Sequence, residues 1–218
     1  MEPYYSDDSV TIYHGDCREI IDALEFDVVV TDPPYGVGYA LQPVVVGRGH
    51  RRRQMGGLPP VYGDDSPFDP SHILAAGKPT VMFGANYYSD RLPTSGGWIC
   101  WDKTGGGRGP KNSFTDVEMA WTNTRKNPVI FHHLWKGLCR DSEAGQKVKH
   151  PTQKPVVLMG LIVDLVSNPG DVVFDPYAGS GPTLLAAKNL GRKAIGIEIE
   201  ERYCEIAARR LAQQALAV

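Results

Sequence analysis

The segment DVVFDPYAGSGPTLLAAKNLGRKAIGIEIEE, residues 171–201, constrains the fold more tightly than any other part of the chain. It reads as strand, glycine-rich turn, helix, strand, and such a unit belongs to a parallel sheet. The first strand ends on Asp175, the turn carries Gly179 and Gly181, and the second strand ends on Glu198, 23 residues after Asp175. Glycines let a backbone approach a ligand, a helix N-terminus offers free N–H groups, and an acid at the second strand end can grip a ribose diol. A dinucleotide fingerprint would place a third glycine where Leu184 stands. The layout is therefore that of a nucleoside site without the full dinucleotide pattern.

Five further strand patterns extend this unit into an α/β fold. Strands are expected at Thr11–His14, Asp27–Thr31, Pro79–Gly84, Trp98–Asp102, Val117–Thr122, Asp171–Asp175 and Ala194–Glu198. Helices are expected over 17–24, 71–77, 154–167 (with Pro155 in the first turn), 181–191 and 200–216. The alternation predicts a mostly parallel sheet covered on both faces. With 218 residues and no linker or internal repeat, a single domain over 1–218 is expected. No window approaches the ~18 apolar residues of a membrane span. The acidic start MEPYYSDDSV is not a secretory signal. Four scattered cysteines without a Cys-x-x-Cys pair predict reduced thiols, no zinc site and a cytoplasmic protein, with Cys17 and Cys204 as helical packing residues.

A second stretch, DVVVTDPPYG at 27–36, ends a β-branched run on a carboxylate followed by two prolines, an aromatic ring and a glycine. Asp-Pro and Tyr-Gly are ordinary turn chemistry. The functional reading is that two missing N–H donors leave carbonyls free to accept, so Asp32, the Pro33 carbonyl, Pro34 and Tyr35 form a stiff, acceptor-rich site suited to a flat ring carrying an NH2 group. A third stretch, GGGRGPKN, imitates a P-loop, but Pro110 and Asn112 break the pattern and no helix follows.

Charge is segregated. Residues 1–46 hold nine acids and one base, 47–57 hold four arginines and no acid, and 103–149 hold nine Lys or Arg against four acids. The basic middle suits a polyanion, although a solvated loop explains the arginine run equally well. Residues 38–66 and 103–115 read as long loops, the first Arg/Gly-rich and mobile.

Together, DPPY (32–35), HPTQKP (150–155) and FDPYAGSG (174–181) resemble three motifs of the DNA amino-methyltransferases, in the order of their permuted β group. That resemblance covers most of the chain. It implies a permuted Rossmann-like, seven-stranded sheet with helices on both faces, in which the 171–175 and 194–198 strands are first and second and the 11–14 strand third. It implies S-adenosylmethionine (SAM) as cofactor, no metal, and methylation of adenine N6 or cytosine N4 in double-stranded DNA, with the base flipped from the helix. Asp175, Pro176, Ala178, Gly179, Ser180 and Gly181 would line the cofactor, with Glu198 on the ribose. Asp16 would meet the cofactor adenine, or serve as a helix N-cap, or both. Thr152 and Lys154 would close the site, unless Lys154 is solvated. The catalytic set is Asp32, Pro33, Pro34 and Tyr35, with Tyr35 stacking on the base. Arg48, Arg51, Arg52 and Arg53, with Lys103, Arg108 and Lys111, are expected on DNA, and ~103–149 is expected to hold target recognition. There Trp135, His132 or His133 would reach bases, or the histidines would simply pack. A homodimer is implied by the resemblance alone. Asp in the first motif position favours adenine over cytosine. The permuted order and HPTQKP count against methylation of protein glutamine or RNA, and the intact Asp32–Tyr35 segment counts against a non-catalytic SAM- or DNA-binding subunit.

Overall fold

A computed structural model describes residues 2–38, 44–45, 52–53, 60–94, 96–110, 115–146 and 149–215. In chain order its elements are β1 (Tyr5–Ser6), β2 (Val10–His14), α1 (Cys17–Ile20), β3 (Val28–Thr31), β4 (Val44–Val45), β5 (Arg52–Arg53), α2 (Ser71–Ala75) and β6 (Thr80–Phe83). There follow β7 (Gly97–Asp102), β8 (Val117–Thr122), β9 (Val129–His132), β10 (Trp135–Lys136), β11 (Cys139–Arg140), α3 (Val156–Val166), β12 (Val172–Asp175), α4 (Pro182–Asn189), β13 (Lys193–Glu198) and α5 (Glu201–Ala215).

Nine strands form the main sheet in the order β1-β2-β13-β12-β3-β6-β8-β7-β9. Only β1 and β8 run against the others. All seven expected strands are present, with β12 and β13 adjacent, β2 beside β13 and β3 on the other flank. The sheet has two strands more than expected. β1 folds back on β2 through a turn in which the Asp7 carboxylate accepts from the Ser9 and Val10 amides, both at 2.8 Å. β9 alternates half-buried and exposed residues along the far edge and pairs parallel with β7.

β3 and β6 are buried at every position, which is why their sequences are continuous apolar or β-branched runs. Successive side chains serve opposite faces. Val28, Val30, Val81 and Phe83 meet the α3–α4–α5 side with Leu158, Ile162, Leu184 and Leu211. Val29 and Met82 meet the α1–α2 side with Ile20, Ile73 and Phe174. The helices thus cover both faces. Cys17 and Cys204 are buried packing residues on α1 and α5. Pro155 caps α3 from outside rather than sitting in its first turn, and α1 gives way to a 3-10 turn after one α turn.

Leu184 explains the missing third glycine. Its side chain is fully buried, and a Cβ on Gly196 of β13 would lie 2.6 Å from Leu184 Cδ1. Close helix–strand packing is kept, but the small residue lies on the strand rather than the helix. Among the described residues no helix is long and apolar enough to cross a membrane.

Candidate active site

The parallel strands β2, β13, β12 and β3 bring their C-terminal ends to one edge of the sheet. The chain turns one way from β12 to β13 and the other from β3 to β6, so this edge is a topological switch point, where open α/β sheets hold ligands. A single cavity of about 830 Å³ lies there. It is lined by Asp32, Pro33, Pro34 and Tyr35, and by Asp16, Thr152, Lys154, Asp175, Pro176, Ala178, Gly179, Ser180 and Glu198. Gly181 stands just behind it, capping α4 with φ 74°. Asp32 and Lys154, 122 positions apart in the sequence, therefore share one chamber.

One lobe is built by the glycine turn. Asp175 accepts from the Thr31 hydroxyl at 2.7 Å and the Tyr177 amide at 3.1 Å, and burial pushes its carboxyl up to about 6. Glu198 accepts from the Gly179 and Glu200 amides, both at 2.8 Å, and burial pushes it up to about 7. Asp16 caps α1 through the Arg18 amide at 2.9 Å and also lines the cavity. The 150–155 segment is tied to the turn: Ser180 Oγ donates to Gln153 Oε1 at 3.3 Å, and Gln153 Nε2 donates to Glu143 at 3.0 Å. His150 lies under the Tyr203 ring, centroids 4.3 Å apart, and burial lowers its pKa to about 4, so the ring is neutral. The Thr152 amide donates to His150 Nδ1 at 3.3 Å.

The donor set of this lobe fits SAM. Acids stand at the ends of β13 and β12 and beyond β2, and the turn between β12 and α4 carries two glycines at positive φ, Gly179 at 52° and Gly181 at 74°. That arrangement accepts a ribose diol and a purine amine at one end and an amino acid at the other.

The second lobe is an ion network. Lys154 Nζ donates to Asp32 Oδ2 at 2.5 Å, Tyr35 Oη donates to Asp32 Oδ1 at 2.5 Å, and Lys154 Nζ stands 3.2 Å from Tyr35 Oη. Lys154 also lies 3.1 Å from Glu118 Oε2, without hydrogen-bond geometry, so that buried oxygen keeps an unmet acceptor. Glu118 Oε1 accepts from Lys103 Nζ at 2.6 Å. Burial works against the charge on Glu118, but the two ammonium groups bring its carboxyl down to about 2. Burial raises Asp32 above the usual carboxylate range, with Lys154 the chief opposing influence. Burial also opposes the charge on Lys154, yet Asp32 and Glu118 hold its pKa above the ordinary lysine value. Lys154 is 4% exposed, which removes the solvated reading. It reaches Asp32, in this second lobe of the cavity.

Two further features shape this lobe. Gly84, with φ 68°, makes room for the Tyr35 ring: a Cβ there would lie 2.0 Å from Tyr35 Cε1. Tyr35 in turn stacks on Tyr87, centroids 5.4 Å apart. Asp64 Oδ1 accepts from the amides of Tyr35, Gly36 and Val37 at 3.1, 2.9 and 3.1 Å, holding the turn after the prolines. Sequence reasoning missed Glu118, Asp64 and Tyr87. A signal for Glu118 existed: a lone acid inside an apolar strand is rarely buried without a partner.

The expected DNA contacts divide. Lys103, expected on DNA, instead turns inward onto Glu118 with its side chain 12% exposed, as a member of the buried network. Arg108 is exposed and pairs with Asp141 at 2.8 Å. Arg52 and Arg53 form β5 against β4. Arg48, Arg51 and Lys111 lie outside the described residues. His133 is buried against Ser142 at 2.8 Å, the packed alternative, while Trp135 is largely buried but still lines the cavity. His132 is paired to Asp102 at 2.7 Å.

Residues 101–209, half of the chain, match the family model described as DNA methylase, N6_N4_Mtase. The chain belongs to the N6/N4 DNA methylase family. This DNA methylase is 26% identical to the type II methyltransferase M.ScaI of Streptomyces caespitosus over 98% of its own length and 85% of the relative's. It is 42% identical to the type II methyltransferase M2.DpnII of Streptococcus pneumoniae over 36% of its length and 29% of the relative's. Among solved structures it is similar to the M1.HpyAVI–SAM complex, at 28% identity and TM-score 0.54, covering 93% of this chain and 100% of that one. PvuII DNA methyltransferase, cytosine-N4-specific, shares the fold at 16% identity and TM-score 0.60, over 96% of this chain and 88% of that one.

Proposed function

We propose that this DNA methylase transfers a methyl group from SAM to N6 of an adenine flipped out of double-stranded DNA. The observation that carries the reading is Asp32: its carboxylate stands at the end of β3, inside the chamber that also holds the glycine turn, shared between Tyr35 and Lys154. When bound, SAM supplies an electrophilic methyl on a sulfonium leaving group.

The chain's own residues then meet an electronic problem. An exocyclic amine is a poor nucleophile because its lone pair is delocalised into the ring. Asp32 and the Pro33 carbonyl accept its two hydrogens and turn the lone pair toward the methyl. These bonds strengthen as positive charge grows on nitrogen, so they stabilise the transition state more than the ground state. Tyr35 stacks on the base and fixes Asp32 through its hydroxyl. Lys154 favours the charged form of Asp32 against the effect of burial, and Glu118 and Lys103 balance that network. The amine proton departs once the new C–N bond has formed, with Asp32 the nearest acceptor. Gly179, Gly181 and their neighbours Pro176, Ala178 and Ser180 cradle the cofactor, Asp175 lies at its methionine end, Glu198 takes the ribose and Asp16 the adenine. Thr152 closes that lobe. An Asp in the first motif position supports adenine over cytosine.

The test is digestion of DNA treated with the protein and SAM, followed by mass spectrometry of the nucleosides. N6-methyladenine is expected. N4-methylcytosine would keep the chemistry and overturn the base, and neither product would overturn the reading.

Glu198 adds a pH dependence. Its carboxyl is raised to about 7, so the charged acceptor for the ribose is complete only above neutrality. SAM affinity should fall by a few-fold, about tenfold at most, between pH 8 and pH 6 in calorimetry. In Glu198→Gln this slope should vanish, and a slope that persists would remove Glu198 from the ribose.

The whole chain, 1–218, acts as one methyltransferase domain of the cytoplasm, with the 38–66 loop and ~103–149 supplying DNA contacts and target recognition. Alanine at Arg48, Arg51, Arg52 and Arg53 should weaken DNA binding and flatten its salt dependence by up to about four charges. Unchanged affinity at low salt would exclude the loop. A homodimer is supported by Val157, Leu161 and Leu165, which expose an apolar stripe at helical spacing along α3. Sedimentation should give twice the monomer mass, and a monomer at tens of micromolar would refute it.

A further inference from the structure

The hairpin β10–β11 carries the most exposed large apolar side chain among the described residues. Leu138 is 97% exposed, and it stands at the tip, on the wall of the catalytic cavity. Trp135 pairs with Arg140 and Lys136 with Cys139, leaving Gly137 and Leu138 as a two-residue turn. Gly137 has φ 67° and Leu138 does not share it, the pattern of a tight type II′ turn.

This tip is held stiffly. Trp135 is buried, and its amide donates to the Lys103 carbonyl at 2.9 Å. The Arg140 guanidinium lies 4.4 Å over the Trp135 ring, and its Nε donates to the Gly137 carbonyl at 2.8 Å. Lys136 is buried against Asp116. Every residue of the hairpin except Leu138 is thus tied to the body or to its neighbour.

For an amine to reach Asp32, DNA must cover the mouth of this cavity. Whatever projects there touches the duplex. A leucine satisfies neither a phosphate nor water; a duplex offers it apolar surface at thymine methyls and in the gap between base pairs, and beside an extruded base the gap is the larger apolar space. We propose that Leu138 is a wedge that enters the base stack and fills the space vacated by the flipped base. The inference rests on the base-flipping reading above. Leu138 is a positioning residue: it holds the extruded state open and touches no reacting atom.

The experiment uses Leu138→Ala with two duplexes carrying the methylated site identified by sequencing. In one the target base is normally paired. In the other it faces an abasic gap and is already loose. The variant should lose about 10- to 100-fold in kcat/KM on the paired duplex and less than about threefold on the other, because only the first must be opened. With 2-aminopurine at the target position, the fluorescence rise on binding should shrink in the variant on paired DNA alone. Equal activity on paired DNA, or equal loss on both duplexes, would overturn the wedge while leaving the methylase reading intact. A wild-type protein that methylates neither duplex would overturn both. Leu138 is exposed, so the variant's melting temperature should be unchanged.

Discussion

Asp32→Asn should fold, bind SAM within about threefold of the wild type, and lose methylation by a factor on the order of 10²–10³. The substitution keeps shape and removes charge. Lys154 would still find an amide oxygen, but the NH2 of the new side chain would either make the Tyr35 hydroxyl accept instead of donate or face the amine of the base, donor against donor. The acceptor that strengthens as nitrogen becomes cationic would be gone, in a cavity where little water screens the change. Single-turnover kinetics with isothermal SAM titration makes the measurement. Turnover within tenfold of wild type would show that Asp32 does not carry the reaction.

Lys154→Met should have the largest combined effect on stability and activity. Methionine keeps volume against Phe83, whose ring lies 5.0 Å from Nζ. It leaves Asp32 buried without its cation and Glu118 with Lys103 only. Breaking a buried pair from one side costs about 3–5 kcal/mol. The pH dependence follows from Asp32. Burial already raises its carboxyl, and Lys154 is the main influence holding it down. Without Lys154 the folded pKa rises further, while the unfolded value stays near ~4. The folded state then prefers the proton, so the variant should lose stability as pH rises from about 4 toward the new folded pKa. The acidic limb of kcat/KM should move to higher pH for the same reason. Melts at pH 5.5 and 8, with a pH–rate profile, test both. An unshifted profile would show that Lys154 does not tune Asp32.

The motifs marked both lobes of the chamber because their local chemistry is distinctive. Strand-ending acids, paired prolines and positive-φ glycines leave traces in consecutive residues. The wiring between lobes left none. Lys154 meets Asp32 across 122 positions, and Thr31 meets Asp175 across 144. Lys103 read as a DNA cation because a lysine in a basic stretch looks alike whether it faces solvent or Glu118. β1 was missed because two residues carry no periodicity, and β9 because one half-exposed edge strand resembles a loop. The Gly196–Leu184 exchange shows the converse: a fingerprint position was broken, and the physical requirement behind it was met from the neighbouring strand.

The strand order also bears on biosynthesis. β3, which presents Asp32, pairs with β6 on one flank and β12 on the other, and β2 pairs with β13. β12 and β13 come last of all the strands. While the ribosome is still making them, β2 and β3 each have an open edge, and the sheet's centre is a gap. Such non-local pairing slows folding and leaves nascent edges needing protection from other chains. A chain stopped before β12 would also lack the strand that joins β3, with Asp32, to β13, with Glu198, so it should have no assembled chamber and no methylation activity.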